Sequence, residues 1–154
     1  MRERKGKNQG FSLVELIVVV TIMAVLMVVL APAMLRYVER TRVQKDESAV
    51  AEVLKVTELA LADDKLYTEA GGEDITVKVQ DDVEISVTCG AGANPGAAND
   101  LKLDIQAAIG EKIKFSSATY RGKTFTIYFE YNDIRQTYVA RPSAANASLK
   151  WTVS

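Results

Sequence analysis

Gly10-Phe11-Ser12-Leu13-Val14-Glu15-Leu16-Ile17-Val18-Val19-Val20 opens an apolar run that reaches Leu35 with Glu15 as its only charged residue. As a helix, residues 11–35 span about 37 Å, slightly more than the roughly 30 Å hydrocarbon core of a bilayer, so the run predicts a membrane-crossing helix with some tilt. Arg2, Arg4, Lys5 and Lys7 stand before it. Positive charge is retained in the cytoplasm, which puts everything after Leu35 outside. Directly after the run come Arg36, Glu39, Arg40, Arg42, Lys45, Asp46 and Glu47, so the chain faces two different solvents in succession.

Three readings compete for the apolar run. An ordinary secretory signal has the same basic start, and Ala31-Pro32-Ala33 faintly resembles a small-residue cleavage site. The run is too long for such a signal, however, and carries a carboxylate near its beginning. A plain single-pass anchor explains the length and the flanking charge but leaves Glu15 unexplained. A charge inside an apolar helix is costly and usually faces a partner, yet no Lys, Arg or His lies within the run. A cut between Gly10 and Phe11 creates that partner. The new α-amino group is a cation one helical turn from Glu15, reachable within the chain or from an adjacent subunit. Glu15 also falls in the first turn of the new helix, where the macrodipole favours negative charge; that explains its tolerance without invoking assembly.

Gly10 to Glu15, after a short basic leader and before an apolar helix, resembles the class III signal of type IV pilins and the related pseudopilins. The resemblance implies that a prepilin peptidase cuts after Gly10 and methylates Phe11, that the apolar segment stays on the mature protein, and that Glu15 serves assembly. Pro32, Tyr37 and Arg40 fall where many pilins carry the same residue types, so the resemblance covers residues 1 to about 62. It implies a leader at 1–10, a transmembrane and filament-core half-helix at 11–35, an amphipathic half-helix at 36–62 and a globular sheet domain at 63–154. It also implies partners: further copies of the chain, the prepilin peptidase, an inner-membrane assembly platform and a cytoplasmic assembly ATPase. The location implied is the cytoplasmic membrane before assembly, N-terminus inside, and a pilus at the cell surface afterwards. Pro32 cannot donate a hydrogen bond to the Val28 carbonyl and crowds that turn. This predicts either a membrane-helix kink accommodated by neighbours or, by resemblance, a segment that melts locally.

Between Ala33 and Tyr67 there is no Gly or Pro, and Ala, Leu, Glu, Lys and Val abound, so the helix is expected to continue past Leu35. Val43, Val50, Val53, Leu54, Thr57, Ala60 and Leu61 form a stripe opposite a charged face. Packing on a sheet explains the stripe better than a coiled coil, which needs several sustained heptads. Asp63-Asp64 and Gly71-Gly72 mark the exit from the helix. Ile75, Val77, Val79 and then Val83, Ile85, Val87 alternate with polar residues around Asp81-Asp82, the pattern of a hairpin. Cys89 shares the phase of the second strand and is expected as a buried small apolar residue rather than a reactive thiol. Asn99 is expected to cap a short helix bearing Leu101, Ile105 and Ile109 and ended by Gly110. Phe125, Ile127, Phe129 and Tyr131 form the clearest strand, with Tyr138-Val139 in another and Leu149, Trp151 and Val153 in a last one. The fold class is α+β and pilin-like: a long N-terminal helix packed on an antiparallel sheet of four or five strands.

Other chemistries are poorly served. The 154 residues include no histidine, which removes Ser-His-Asp and Cys-His catalysis and His-containing zinc sites. The single cysteine, Cys89, allows no intrachain disulfide. Residues 1–10 carry net +3, so the chain from Phe11 onward counts about −4 against −1 for the whole, a poor bulk binder of nucleic acid. Gly122-Lys123-Thr124 imitates the end of a phosphate-binding loop, but Ser117 stands where the first glycine is required, so a turn is the better reading. Glu73-Asp74, Asp81-Asp82 and Asn132-Asp133 show no D-x-D ligand series for calcium and are read as solvated turns. Asn146-Ala147-Ser148 fits the short glycosylation sequon. No catalytic residue, cofactor or metal is expected. The leading expectation is a structural subunit of a type IV pilus. The alternatives are a pseudopilin of a type II secretion or DNA-uptake system and, from a different class, a single-pass membrane-anchored binding module.

Overall fold

A helix long enough to serve both solvents dominates the computed structural model, which describes residues 12–141 and 150–154. Helix α1 spans Leu13–Ala60, 48 residues. The chain divides into two compact units, the first ending at Val38 and the second beginning at Glu39. In the first unit, every residue of α1 up to Val38 is exposed. Pro32 lies inside the helix, which continues through it without a break, so the melted alternative is not the state seen here. Thr21 Oγ1 donates to the Ile17 carbonyl at 2.8 Å, a bond that lets a hydroxyl ride in an apolar helix.

In the second unit α1 buries Asp46, Val50, Val53, Leu54 and Thr57, spaced to fall on one face. Val43 is only half-buried and Leu61 is buried just beyond the helix. The Thr57 hydroxyl donates to the Val53 carbonyl at 2.7 Å, which satisfies the one polar group inside this part of the stripe. The Asp63-Asp64 and Gly71-Gly72 pairs do more than mark an exit. They bracket a further helix, α2 (Asp64–Ala70): Asp63 caps it by accepting the Lys65 N–H, and Gly71 closes it at φ 62°. Leu66 and Ala70 of α2 enter the core.

Strand β1 (Ile75–Gln80) turns at Asp81-Asp82, where the Val83 N–H donates to the Gln80 carbonyl, and β2 (Ser86–Cys89) returns antiparallel. Val83 is 44 % exposed, so the expected strand over 83–87 is wrong in its first half. Asp82 takes φ 54°, and residues 84–85 leave β1 to meet 111–112 instead, the Ile85 N–H donating to the Glu111 carbonyl. Only from Ser86 does pairing with β1 begin, with Ile85, Val87 and Cys89 keeping the inward phase. Cys89, opposite Ile75, is half-buried at the sheet's margin rather than fully buried, and burial pushes its thiol pKa up. Helix α3 (Ala97–Ile109) starts two residues before Asn99. Its N-cap is Gly96, with no side-chain cap, and Gly110 at φ 106° ends it. Leu101 and Ile105 are buried.

Strand β3 (Thr124–Asn132) is the centre of the sheet and pairs with β1 along one side. On the other side it pairs with β4 (Thr137–Ala140) and, nearer its start, with β5 (Thr152–Val153), giving the order β2-β1-β3-β4 with β5 also on β3. Phe125, Ile127 and Phe129 are buried, as is Thr126 from the opposite phase. Leu149, expected in the last strand, lies outside the described residues, as does the 146–148 sequon. The architecture is α+β and pilin-like, with the second half of α1, α2 and α3 closing one core with a five-stranded antiparallel sheet.

Phe129→Ala is expected to destabilise the second unit by about 3–5 kcal/mol, because it opens a cavity among fully buried neighbours. Val83→Ala is expected to change stability by less than about 0.5 kcal/mol. Denaturant unfolding of the detergent-solubilised chain, followed by tryptophan fluorescence, separates the two.

Candidate assembly site

Gly10 and Phe11, where the sequence points to processing, lie outside the described residues. Ser12 precedes α1, and its backbone N–H donates to Glu15 Oε2 at 2.9 Å. This is the back-reaching half of a Ser-x-x-Glu capping box, in which a third-position carboxylate satisfies a donor that the helix leaves free. The bland reading of Glu15 therefore has a geometric basis: it stabilises the start of α1 within one chain. The bond also fixes the carboxylate at the very beginning of the helix. Pro32 sits in the same apolar half, far along the helix from Glu15, and the structure brings the two into no common site.

None of the apolar span is buried within the chain. Leu13, Leu16, Leu26, Met27, Leu30 and Leu35 are all more than half exposed. Such a surface is stable only in lipid or against other apolar helices.

In the second unit, carboxylates of α1 hold a loop. Asp46 is only 2 % exposed, and its two oxygens accept the backbone N–H groups of Ser116 and Ser117, each at 2.8 Å. About two helical turns earlier, Glu39 Oε1 accepts from Ala118 at 2.6 Å and Thr119 at 3.3 Å, and from the residue after Asp46, Glu47 Oε1 accepts the Tyr120 hydroxyl at 2.7 Å. From the sheet side, Asp81 accepts the N–H groups of Phe115 and Gly122 at 2.9 and 3.0 Å. A loop whose amides converge in this way is an anion cradle, and here the protein's own carboxylates fill it. The phosphate-loop look-alike ends accordingly: Ser117 is buried under Asp46, Gly122 turns at φ 74°, and the Lys123 N–H closes a turn on the Tyr120 carbonyl.

The backbone N–H bonds from Phe115 and Gly122, helped by Arg121 and Lys114, hold the Asp81 carboxyl below its ordinary value of 3.8. Burial, with the Glu47 carboxylate beside it, pushes the Tyr120 phenol up to about 12, so it stays a donor. Asp81 is thus a structural acceptor rather than part of a solvated turn. Asn132 likewise folds its own hairpin, its Oδ1 accepting from Ile134 and Arg135. Among the described residues no group of three Asp, Glu, Cys or His side chains could hold a metal ion.

The residues that sequence reasoning missed are Glu39, Asp46 and Glu47, taken only as part of a charged face. A signal was present: Asp46 lies four residues before Val50 and seven before Val53, in the phase of the apolar stripe. A carboxylate in that phase must find donors.

A family profile described as the prokaryotic N-terminal methylation motif matches residues 5–31. The chain carries the signal of type IV pilins and pseudopilins. No curated protein and no solved structure matches the chain. The motif and the apolar helix fit a membrane-anchored precursor of the pilin and pseudopilin kind. Such a signal points to a structural subunit rather than a catalyst.

Asp46→Ala leaves two backbone donors without acceptors and is expected to cost this pilin-like domain about 2–4 kcal/mol. Asp46→Asn keeps one acceptor oxygen and is expected to cost less; unfolding midpoints of the three proteins check the order. Because the Asp81 pKa is depressed by folding, its contribution is complete above 3.8 and is lost as pH falls through the lower folded value. Stability measured from pH 6 to pH 2 is expected to fall less steeply in Asp81→Asn than in the parent.

Proposed function

We propose that this chain is the structural subunit of a type IV pilus. Cleavage falls between Gly10 and Phe11, Phe11 becomes the methylated N-terminus, and residues 11–35 leave the bilayer to form the filament core. The single observation that carries the reading is an apolar half-helix, wholly unburied by its own chain, whose one charge sits at its very start and is held there by Ser12. Moving this surface from lipid to packed helices exchanges one apolar surrounding for another, so area alone contributes little. The Glu15 carboxylate supplies the bias. Paired with the α-amino group of a neighbouring Phe11, it is satisfied in the filament more fully than in lipid.

Pro32 weakens one turn of the same helix by removing a single backbone bond. In this reading it lets the core helices bend past one another as they pack. The inner-membrane platform and the cytoplasmic ATPase that drive extraction are separate proteins, and no chemistry is asked of this one.

N-terminal sequencing and intact mass of sheared surface material are expected to give a chain starting at methylated Phe11. Processed chain confined to membranes overturns the surface pilus in favour of a pseudopilin, and an intact Met1 start overturns both. Glu15→Ala is expected to leave processing and membrane insertion intact while the sheared fraction falls several-fold. Unchanged assembly would return Glu15 to a capping role alone.

A further inference from the structure

The β3–β4 hairpin ends in a preformed apolar tip. Ile134 is 95 % exposed, more than any other large apolar side chain among the described residues. Its backbone N–H and that of Arg135 are tied to Asn132 Oδ1 at 3.1 and 3.0 Å, and Gln136 turns at φ 50°. The tip thus needs no ordering on contact, which removes a usual cost of binding. Arg135 makes no ion pair among the described residues.

Where the end of α1 meets α2 and α3 lies a groove of about 620 Å³ floored by Val56, Leu59, Leu66 and Leu103. Leu59 and Leu103 are 75 % and 53 % exposed. Its rim is acidic: Asp63, Asp100 and Asp104 outnumber Lys65, which Asp100 holds at 2.8 Å.

Tip and groove occupy opposite edges of the domain. The tip hangs from β4, one edge of the sheet, whereas α3 packs beside β2, the other edge. Both lie toward the Ala60 end of α1: the tip's base meets α2 through Tyr67 and Tyr131, and the groove meets it through Lys65 and Asp100. A protrusion on one edge and a matching recess on the other make a head-to-tail contact, which propagates from copy to copy instead of pairing two.

We propose that the hairpin tip of one copy seats in the groove of the next, Ile134 on Leu59 and Leu103, and Arg135 against Asp104. The inference rests on the filament reading above. A contact this small does not hold copies together by itself. It sets the rotation between domains that the apolar helices have already gathered, and the opposite charges reject mismatched seating.

The test uses the full chain in cells that make the filament, with Cys89→Ala, Ile134→Cys and Leu103→Cys combined, and a short bismaleimide added to sheared filaments. A ladder of dimer, trimer and higher species is expected from the double-cysteine chain and from neither single-cysteine control. Filaments recovered without a ladder overturn the contact and leave the pilus reading standing; an unaltered chain that forms no filaments overturns both. Independently, Arg135→Asp and Asp104→Arg are each expected to lower filament recovery several-fold, and their combination to restore it. Folded variants whose combination restores nothing also overturn the contact.

Discussion

One helix has to satisfy two solvents, and the rest of the molecule follows from how α1 does so. Its backbone bonds are internal along its length, so the main chain is indifferent to whether lipid, protein or water surrounds it. Only the side chains change, from an exposed apolar surface whose one charge is Glu15 to a single buried stripe from Asp46 onward. The first half is complete only in company, while the second is complete within its own chain. In the proposed filament, that division lets the same element serve as an anchor at one stage and a structural core at another without refolding.

The second half is bound to its domain by polar as well as apolar means. Val50, Val53 and Leu54 supply burial, yet burial alone leaves a helix free to slide or rotate on a sheet. Asp46, receiving two amides of known position, fixes both the rotation and the height of α1 against the loop that leads into β3. Burying that carboxylate is tolerable because both oxygens meet donors. Glu39 and Glu47, more exposed, extend the same grip over Ala118 to Tyr120.

The regular features were legible in the sequence because each rests on a repeating pattern. The apolar run, the 50–61 stripe and the alternation of Phe125, Ile127 and Phe129 all survive in the structure. What escaped depends on single residues whose role is set by something distant. Helix α2 is bracketed by the very Asp and Gly residues that read as an exit, since caps and turns use the same chemistry. The phase of β2 was legible but its start was not, because Glu84 and Ile85 pair with residues 111–112 rather than with β1, a choice no local window contains. Asn99 lost its capping role to a helix that begins at a Pro-Gly corner. At the site, Glu15 and Pro32 could be singled out as exceptions to their surroundings, whereas Glu39 and Glu47 looked like ordinary surface charges until the loop they hold was in view.

The loop from Phe115 to Gly122 is closed by carboxylates, and the chain's one cysteine stands apart from it. A domain fastened in this way needs no oxidant to mature. Reduction therefore breaks no covalent link within this fastening, whereas acid, by protonating carboxylates such as Asp81, loosens it.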